Sequence, residues 1–152
     1  MCIFVLGDDI GGFNIEGCGK EYYIFETTMS QGDGAYNCTA IGKSILSIET
    51  RQELDCVAGL LEDYVWGAMF TTVWTSASNG GCSKNFIWCN GNNDPVNKSF
   101  FKFDDEYPIW NEPNNFNLQE HCILFDLTTR ELLDAPCFEE NVIVCENPLV
   151  IL

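Results

Sequence analysis

The chain has 152 residues, of which 46% are hydrophobic and 13% aromatic. This apolar content is enough for one hydrophobic core, and the length is too short for two ordinary domains. Seven Lys and Arg residues stand against 23 Asp and Glu residues, which gives a formal net charge of −16. Such a surface repels phosphate backbones and anionic lipid heads, so it disfavours nucleic-acid binding and membrane insertion. The acidic residues either serve solubility or gather in part around a divalent cation.

Nine cysteines are unusual for a chain of this length. They show neither paired C-x-x-C spacing nor the His spacing of a zinc site. We therefore expect disulfides and an extracellular, secreted protein. An odd number leaves at least one cysteine free or bridged to another chain, so a disulfide-linked dimer stays open.

The first segment, residues 1–19, is rich in Gly and Asp and predicts an irregular N-terminal extension held by Cys2 or Cys18. Its apolar run is too short for a secretory signal and follows no basic region, so no complete signal peptide is visible. No later segment is long enough to span a bilayer. We expect one domain over residues 20–147 and a short C-terminal tail over residues 148–152.

Strand and helix patterns begin after this extension. Glu21 to Glu26 carries the aromatic and β-branched residues of a strand. Tyr36 to Lys43 predicts a short helix, weakened upstream by Gly32 and Gly34. Ser44 to Ile48 predicts a second strand.

A second helix is predicted by a capping box of Thr50 and Glu53. Its apolar side chains recur on one face, and it should end near Asp63. That face consists of Leu54, Val57, Ala58 and Leu61. Short β-like runs separated by Gly- and Asn-rich loops follow at Val73 to Thr75, Phe86 to Trp88, Cys122 to Leu127 and Val142 to Cys145.

The stretch from Asn90 to Asn117 shows little periodicity but contains Trp110 and several Phe residues. It predicts a long ordered loop, and such loops commonly carry function in compact domains. Together the patterns predict an α+β fold with two helices, small antiparallel sheets and a long loop region.

The most informative motif lies in this loop and is Trp110-Asn111-Glu112-Pro113-Asn114-Asn115. Glu120-His121-Cys122 follows it, and later Leu132-Leu133-Asp134 precedes Cys137 and Cys145. These residues resemble the C-type lectin family. That family has a Glu-Pro-Asn triplet, a Glu eight residues after the first, a Cys two residues later, and a Trp-Asn-Asp segment before its last cysteines.

The resemblance extends over about Tyr22 to Glu146. It includes Trp74-Thr75-Ser76, which is similar to the family's Trp-Ile-Gly strand in an insect-like variant. It implies the disulfide-bonded C-type lectin-like fold and two near-universal bridges, Cys38 to Cys145 and Cys122 to Cys137. Separately, Cys82 and Cys89 are close enough in sequence to form a disulfide across a hairpin. No disulfide partner is assigned to Cys2, Cys18 or Cys56.

Calcium is the expected cofactor because it prefers six to eight hard oxygen ligands. Four side chains could supply them: Glu112, Asn114, Glu120 and Asp134. Converging carboxylates repel one another unless a cation compensates, so their convergence would favour a bound ion. The alternative is that these residues are an ordinary solvated surface.

The resemblance also implies carbohydrate binding and no enzymatic activity. In the family, sugar hydroxyls coordinate the calcium while they bond to its carboxylate and amide ligands. Carried over, Glu112, Asn114 and Glu120 bind the sugar, and Pro113 is a cis proline that turns its neighbours toward the metal; its alternative is an ordinary trans turn proline. The Glu-Pro-Asn order resembles members that prefer mannose, fucose, glucose or N-acetylglucosamine. Glycans or glycoproteins are the expected partners, in glycan or pathogen recognition.

Leu133 is the main departure from the family pattern. The family's Asn here ligates calcium and donates an amide hydrogen bond, and Leu can do neither, so we expect weakened sugar binding. Asn79, Ser83 and His121 stand where the family often has acidic ligands of an accessory calcium site, so that site is expected to be absent. A second hypothesis is a calcium-independent protein-interaction module on the same fold, with Leu133 marking a decayed sugar site.

An enzyme is disfavoured because His121 is the only histidine, and nothing near it suggests a Ser or Cys partner for a nucleophilic dyad. We interpret it as a loop or rim residue, or as a pH-sensitive neighbour of the calcium. Glu112 and Glu120 would need a cleft to act as a glycosidase pair. Asn37 and Asn97 begin glycosylation sequons. Asn97 is favoured because Asn37 is next to a predicted disulfide.

Overall fold

In a computed structural model of the chain, the structure is described for residues 11–64, 72–78, 87–89, 96, 98–100 and 120–147. These residues contain helices α1 (Gln31–Ala40) and α2 (Arg51–Glu62) and a 3-10 helix (Lys98–Phe100). The strands are β1 (Gly12–Gly17), β2 (Lys20–Met29), β3 (Ser44–Ile45), β4 (Thr72–Ser78), β5 (Ile87–Trp88), β6 (Glu120–Asp126), β7 (Glu131–Pro136) and β8 (Asn141–Glu146). Neither described α-helix is long and apolar enough to cross a membrane.

Within the described residues the strands form one sheet in the order β1-β2-β8-β4-β6-β7, while β3 pairs with β8 and β5 pairs with β4. Most neighbours are antiparallel, but β4 and β8 run parallel. The expected small antiparallel sheets are therefore joined into one mixed sheet. Strand β7, which carries Leu133 and Asp134, lies at one end of this order.

Each face of the sheet carries its own apolar cluster. Side chains alternate between faces along a strand, so Leu132 belongs to the first cluster and Leu133 packs against the second. Helix α2 packs into the first cluster, together with Trp88, Val96 and Phe100 from the region before β6. Residues of the predicted long loop thus help to cover the sheet face to which Leu132 points.

Helix α2 confirms the sequence prediction closely. It begins after Thr50, whose hydroxyl accepts the backbone N–H of Glu53 at 3.0 Å, and Asp63 caps its C-terminus. The four residues of its predicted apolar face are all buried in the first cluster. Local capping chemistry and helical periodicity are sufficient to define this element.

Strand β1 corrects the expectation of an irregular extension over residues 1–19, which is wrong for residues 12–17. Ile15 is buried in the first cluster, and Phe13 packs against that cluster. Cys18 and Gly19 connect β1 to β2 with φ angles of 56° and 73°, the backbone of a tight hairpin turn. The alternation of apolar Phe13 and Ile15 with polar neighbours was the signal for this strand.

The β1–β2 hairpin lies along one side of α2. Four contacts join them: Lys20 Nζ to Glu53 Oε2 at 3.0 Å, a disulfide from Cys18 to Cys56, a close approach of Gly17 to Leu60, and the rings of Phe13 and Tyr64 at 5.9 Å. Glu53, Cys56 and Leu60 are three or four residues apart, so they share one side of α2, and Tyr64 follows the C-cap Asp63. The hairpin is consequently attached to the domain by covalent, ionic and apolar contacts.

Helix α1 begins and ends earlier than predicted, at Gln31 and Ala40 instead of Tyr36 and Lys43. The hydroxyl of Ser30 accepts the N–H of Asp33 at 3.2 Å, which caps the first turn. Gly34 has a role in packing, since a Cβ at this position would overlap the side chain of Ile143. Glycine therefore permits the close approach of α1 to β8.

The other predicted strands are present with shifted ends, because propensity defines the middle of a strand better than its boundaries. The run Val73 to Thr75 lies within β4, Cys122 to Leu127 overlaps β6, and Val142 to Cys145 lies within β8. The strand expected over Ser44 to Ile48 ends at Ile45.

Strand β7 was not predicted, since its sequence does not alternate clearly and ends in Pro136. A proline is tolerated at the edge of a sheet, where its missing N–H is not required by a neighbour. The turn before β7 is stabilised by Asp126, whose Oδ1 accepts the N–H groups of Thr128 at 2.9 Å and Thr129 at 3.3 Å. The β6–β7 hairpin therefore depends on an aspartate turn instead of the glycine that marks many hairpins.

Candidate functional site

Two disulfides frame the part of the fold that the sequence singled out. Cys38 bonds to Cys145 and Cys122 bonds to Cys137, the pairs that the family resemblance implies. The Cys18 to Cys56 bridge, which the sequence left unassigned, is a third within the described residues. Cys82 lies outside these residues, so the hairpin bridge of Cys82 and Cys89 stays a prediction.

Asp134 is the expected calcium ligand whose side chain the structure describes. It is 1% exposed on β7 and pairs with Ile123 of β6. A carboxylate with this burial needs hydrogen-bond donors or a cation close to it. Glu112, Pro113 and Asn114 lie outside the described residues, as does the side chain of Glu120.

A bulge in β6 sets the position of Glu120 relative to Asp134. The register pairs Ile123 with Asp134, Cys122 with Ala135, and Glu120 with Pro136. One residue more is therefore accommodated on β6 than on β7 over this interval. Without the bulge, Pro136 would pair with His121; with it, the backbone of Glu120 is two pairing positions from Asp134.

The Cys122 to Cys137 disulfide holds these strand ends together. Its Cα atoms are 5.2 Å apart, and it joins the start of β6 to the residue that follows β7. The segment that begins with Glu120 therefore cannot separate from the segment that contains Asp134. Two of the four expected ligands thus lie on adjacent strands whose ends are covalently joined.

Thr75 positions β6 at this point, a role that the sequence did not indicate. Its hydroxyl donates to the carbonyl of Ile123 at 2.8 Å and accepts the N–H of Ala77 at 3.2 Å. The pairing of β4 with β6 is irregular here, and this side chain adds hydrogen bonds to backbone groups of both strands. Since Ile123 pairs with Asp134, Thr75 stabilises the strand next to the candidate site.

Leu133 does not fit a calcium site. It pairs with Leu124 and packs against the second apolar cluster, and its side chain has no oxygen. The Asp134 carboxylate is a hard, anionic donor of the kind that calcium prefers. Within the described ranges, no group of three or more His, Cys, Asp or Glu side chains is placed to hold a metal, so a complete site requires Glu112, Asn114 and Glu120.

Other expected site residues fall outside the described part of the chain. They are Asn79, Ser83, Asn97, Trp110 and the side chain of His121. Asn37 is described and is 8% exposed, and its amide donates to the carbonyl of Asp33 at 2.9 Å. This burial favours Asn97 over Asn37 as the acceptor, and glycosylation of either stays a prediction.

A buried polar cluster lies elsewhere in the sheet. The carboxylate of Glu146 is 4% exposed and accepts the N–H of Ser47 at 3.0 Å and the ammonium of Lys20 at 3.3 Å. Burial raises the pKa of Glu146 to about 7 and the pKa of Tyr22 to about 12. Burial alone lowers the pKa of Lys20, but the nearby carboxylates of Glu146 and Glu53 outweigh it and raise this pKa.

This cluster is distinct from the candidate site. Glu146 ends β8, and the sheet order places β4 and β6 between β8 and β7. Three strand spacings separate β8 from β7, or about 14 Å. Glu146 can therefore serve as a buried carboxylate for comparison with Asp134.

A family model for the lectin C-type domain matches residues 27–147. Among solved structures, human lithostathine is 19% identical with a TM-score of 0.69, and the match covers 90% of this chain and 97% of that one. The cow carbohydrate-recognition domain of CD23, solved in the presence of a GlcNAc2Man3 oligosaccharide, is 22% identical, with a TM-score of 0.69 and coverage of 91% and 95%. The carbohydrate-recognition domain of the mouse scavenger receptor C-type lectin is 16% identical, with a TM-score of 0.70 and coverage of 90% and 96%. No curated protein matches the chain in sequence.

Proposed function

Since the chain belongs to the C-type lectin domain family, we propose that it binds carbohydrate through a calcium ion held by Glu112, Asn114, Glu120 and Asp134. The similar solved folds include a carbohydrate-recognition domain solved with an oligosaccharide and also lithostathine. Fold alone therefore does not select the ligand, and the proposal depends on the residues of the site.

The buried carboxylate of Asp134 is the observation that carries this proposal. It lies beside the strand that begins with Glu120, and the Cys122 to Cys137 bridge joins the two strand ends. A second carboxylate brought to this position would repel the first unless a cation lay between them. The arrangement supports a divalent-ion site better than a solvated acidic surface.

Bound calcium would supply coordination positions for two adjacent sugar hydroxyls. The carboxylates of Glu112 and Glu120 would accept hydrogen bonds from these hydroxyls, and the amide of Asn114 would donate one. The order Glu112-Pro113-Asn114 resembles that of family members that prefer mannose-type sugars, which supports a ligand of this kind. Leu133 leaves one hydroxyl without an amide donor, which weakens binding by about 1 to 3 kcal/mol.

Retention on mannan resin tests this proposal. Wild-type protein should be retained in calcium and released by EDTA, whereas Asp134→Asn, which keeps the shape of the side chain and removes its charge, should pass through. Glu146→Gln is the matched control because it neutralises a similarly buried carboxylate outside the site. Retention of Asp134→Asn at the wild-type level would contradict the proposal.

A calcium-independent interaction module is the second candidate function, and the packing of Leu133 favours it. Its side chain contacts the second apolar cluster and adds no ligand to the proposed calcium site. This candidate predicts that EDTA changes neither thermal unfolding nor ligand binding of the wild-type protein. Mannan retention that EDTA abolishes would rule it out.

We also propose an extracellular location. Three disulfides join described residues that are up to 107 positions apart, and such bonds persist in oxidising compartments. A disulfide-linked dimer is tested by comparing reduced and non-reduced gel mobility of the secreted protein. One monomer band under both conditions would exclude the dimer.

A further inference from the structure

Phe138 is 74% exposed, the largest exposed fraction of any large hydrophobic side chain that the structure describes. A single exposed Phe is common on protein surfaces and needs no explanation by itself. Its position is informative, because Phe138 follows Cys137 in the turn between β7 and β8. The turn therefore begins at the disulfide that holds the candidate site together.

The backbone on both sides of Phe138 is held by several other elements. Before it, the carbonyl of Cys137 accepts the N–H of Gln31 at 3.1 Å. After it, the N–H of Glu139 donates to Pro136 at 3.1 Å, and the carbonyl of Glu139 accepts the indole N–H of Trp74 at 3.0 Å. An aromatic ring on such a fixed turn loses little conformational entropy when it contacts a ligand.

The distance from Phe138 to the proposed site limits the size of a shared ligand. The Cα atoms of Cys137 and Cys122 are 5.2 Å apart. One further residue adds about 3.8 Å, which places the Cα of Phe138 within about 9 Å of that of Cys122. Glu120 lies two residues before Cys122, which adds at most about 7 Å, so the two positions lie within about 16 Å of each other, a span that a short oligosaccharide can bridge.

The charge around Phe138 selects among such ligands. Glu139 and Glu140 follow it on the exposed turn, and the whole chain carries a net charge of −16. Sialylated or sulfated glycans would be repelled by these carboxylates. A neutral oligosaccharide carries no such penalty, and the apolar C–H face of a pyranose ring matches the face of a phenyl ring.

We propose that Phe138 is a stacking platform for the second or third residue of a neutral oligosaccharide whose terminal sugar occupies the calcium site. This inference rests on the proposed function and extends it from a single sugar to a short chain. It assigns to the β7–β8 turn a part of the binding surface that the calcium ligands do not include.

Titration calorimetry in calcium with two probes, methyl α-mannoside and a neutral mannotetraose, tests the platform. Phe138→Ala should weaken mannotetraose binding about fivefold to tenfold, the usual size of one aromatic contact, and leave methyl α-mannoside binding unchanged. Phe138→Trp should restore mannotetraose binding. Ile41→Ala is the matched control, since Ile41 is 43% exposed. Gln31, at the start of α1, bonds to the turn that carries Phe138, whereas Ile41 follows the other end of this helix, about 15 Å from Gln31.

Each outcome has a separate meaning. Equal mannotetraose affinity in Phe138→Ala and wild type would overturn the platform and leave the calcium-dependent function intact. Equal weakening for both probes would also overturn it, because the ring would then act on the terminal sugar site. If wild-type protein binds neither probe, the proposed function fails and the platform fails with it. Unchanged thermal unfolding of Phe138→Ala is expected because its side chain is exposed.

Discussion

Replacing Leu133 by Asn should strengthen calcium and sugar binding while it weakens the fold. On the family pattern, an amide at position 133, next in sequence to Asp134, adds one oxygen ligand and one hydrogen-bond donor to the proposed calcium site. One such interaction is worth about 1 to 3 kcal/mol, or roughly 5-fold to 150-fold in affinity.

The cost follows from the packing of Leu133. Its partly buried side chain contacts the second apolar cluster and pairs with Leu124. Removing a partly buried aliphatic side chain from such contacts lowers the free energy of unfolding by about 1 to 2 kcal/mol. Leu133→Ala is the matched control, because it loses the same contacts and gains no amide.

Two measurements separate these effects. Titration calorimetry gives the calcium affinity and, in saturating calcium, the affinity for methyl α-mannoside; urea unfolding in EGTA gives the stability of the calcium-free fold. Leu133→Asn and Leu133→Ala should have similar stabilities, but only Leu133→Asn should bind more tightly than wild type. If Leu133→Asn binds calcium no better than Leu133→Ala, position 133 does not face the ion and the reasoning is refuted.

Three further predictions concern the fold. Burial raises the pKa of Glu146 from 4.5 to about 7, so the protonated side chain stabilises the fold below pH 4.5. This stabilisation is lost as the pH rises to 7, and the free energy of unfolding of the wild-type protein falls by up to about 3 kcal/mol. Glu146→Gln should show less of this decline in urea unfolding between pH 5 and pH 8, and parallel curves would contradict the assignment. Gly34→Ala should lower the free energy of unfolding by about 1 to 2 kcal/mol, since overpacking against Ile143 outweighs the better helix propensity of Ala; a more stable variant would contradict the close approach of α1 to β8. Replacing both Cys18 and Cys56 by Ser should cost up to about 4 kcal/mol on chain-entropy grounds, whereas an unchanged urea midpoint would show that the hairpin's other contacts suffice.

The sequence predicted elements whose signals are local. The hydrogen bond from the N–H of Glu53 to the hydroxyl of Thr50 begins α2 within one turn, and the apolar spacing of this helix is visible without its packing partners. By contrast, Gly34 reads as a helix breaker until Ile143 is seen to occupy the space of its missing Cβ. Long-range packing reverses the meaning of this residue.

The candidate site likewise has features that the sequence showed and features that depend on long-range contacts. The Glu112-Pro113-Asn114 motif and the cysteines pointed to a family and to a ligand set. The sequence did not reveal the bulge that places Glu120 opposite Pro136, because a bulge arises from the pairing of two strands. It also did not reveal the hydrogen bond from Thr75 to Ile123, which joins residues distant in sequence.

Thermal unfolding with calcium or with EGTA tests the central claim most directly. A ligand at about 100 times its Kd stabilises the folded state by about 2.7 kcal/mol, which raises the Tm of a chain of this size by about 5 to 10 °C. We expect this rise in wild type and in Glu146→Gln and none in Asp134→Asn. An equal Tm in calcium and in EGTA for the wild-type protein would contradict a calcium site at Asp134.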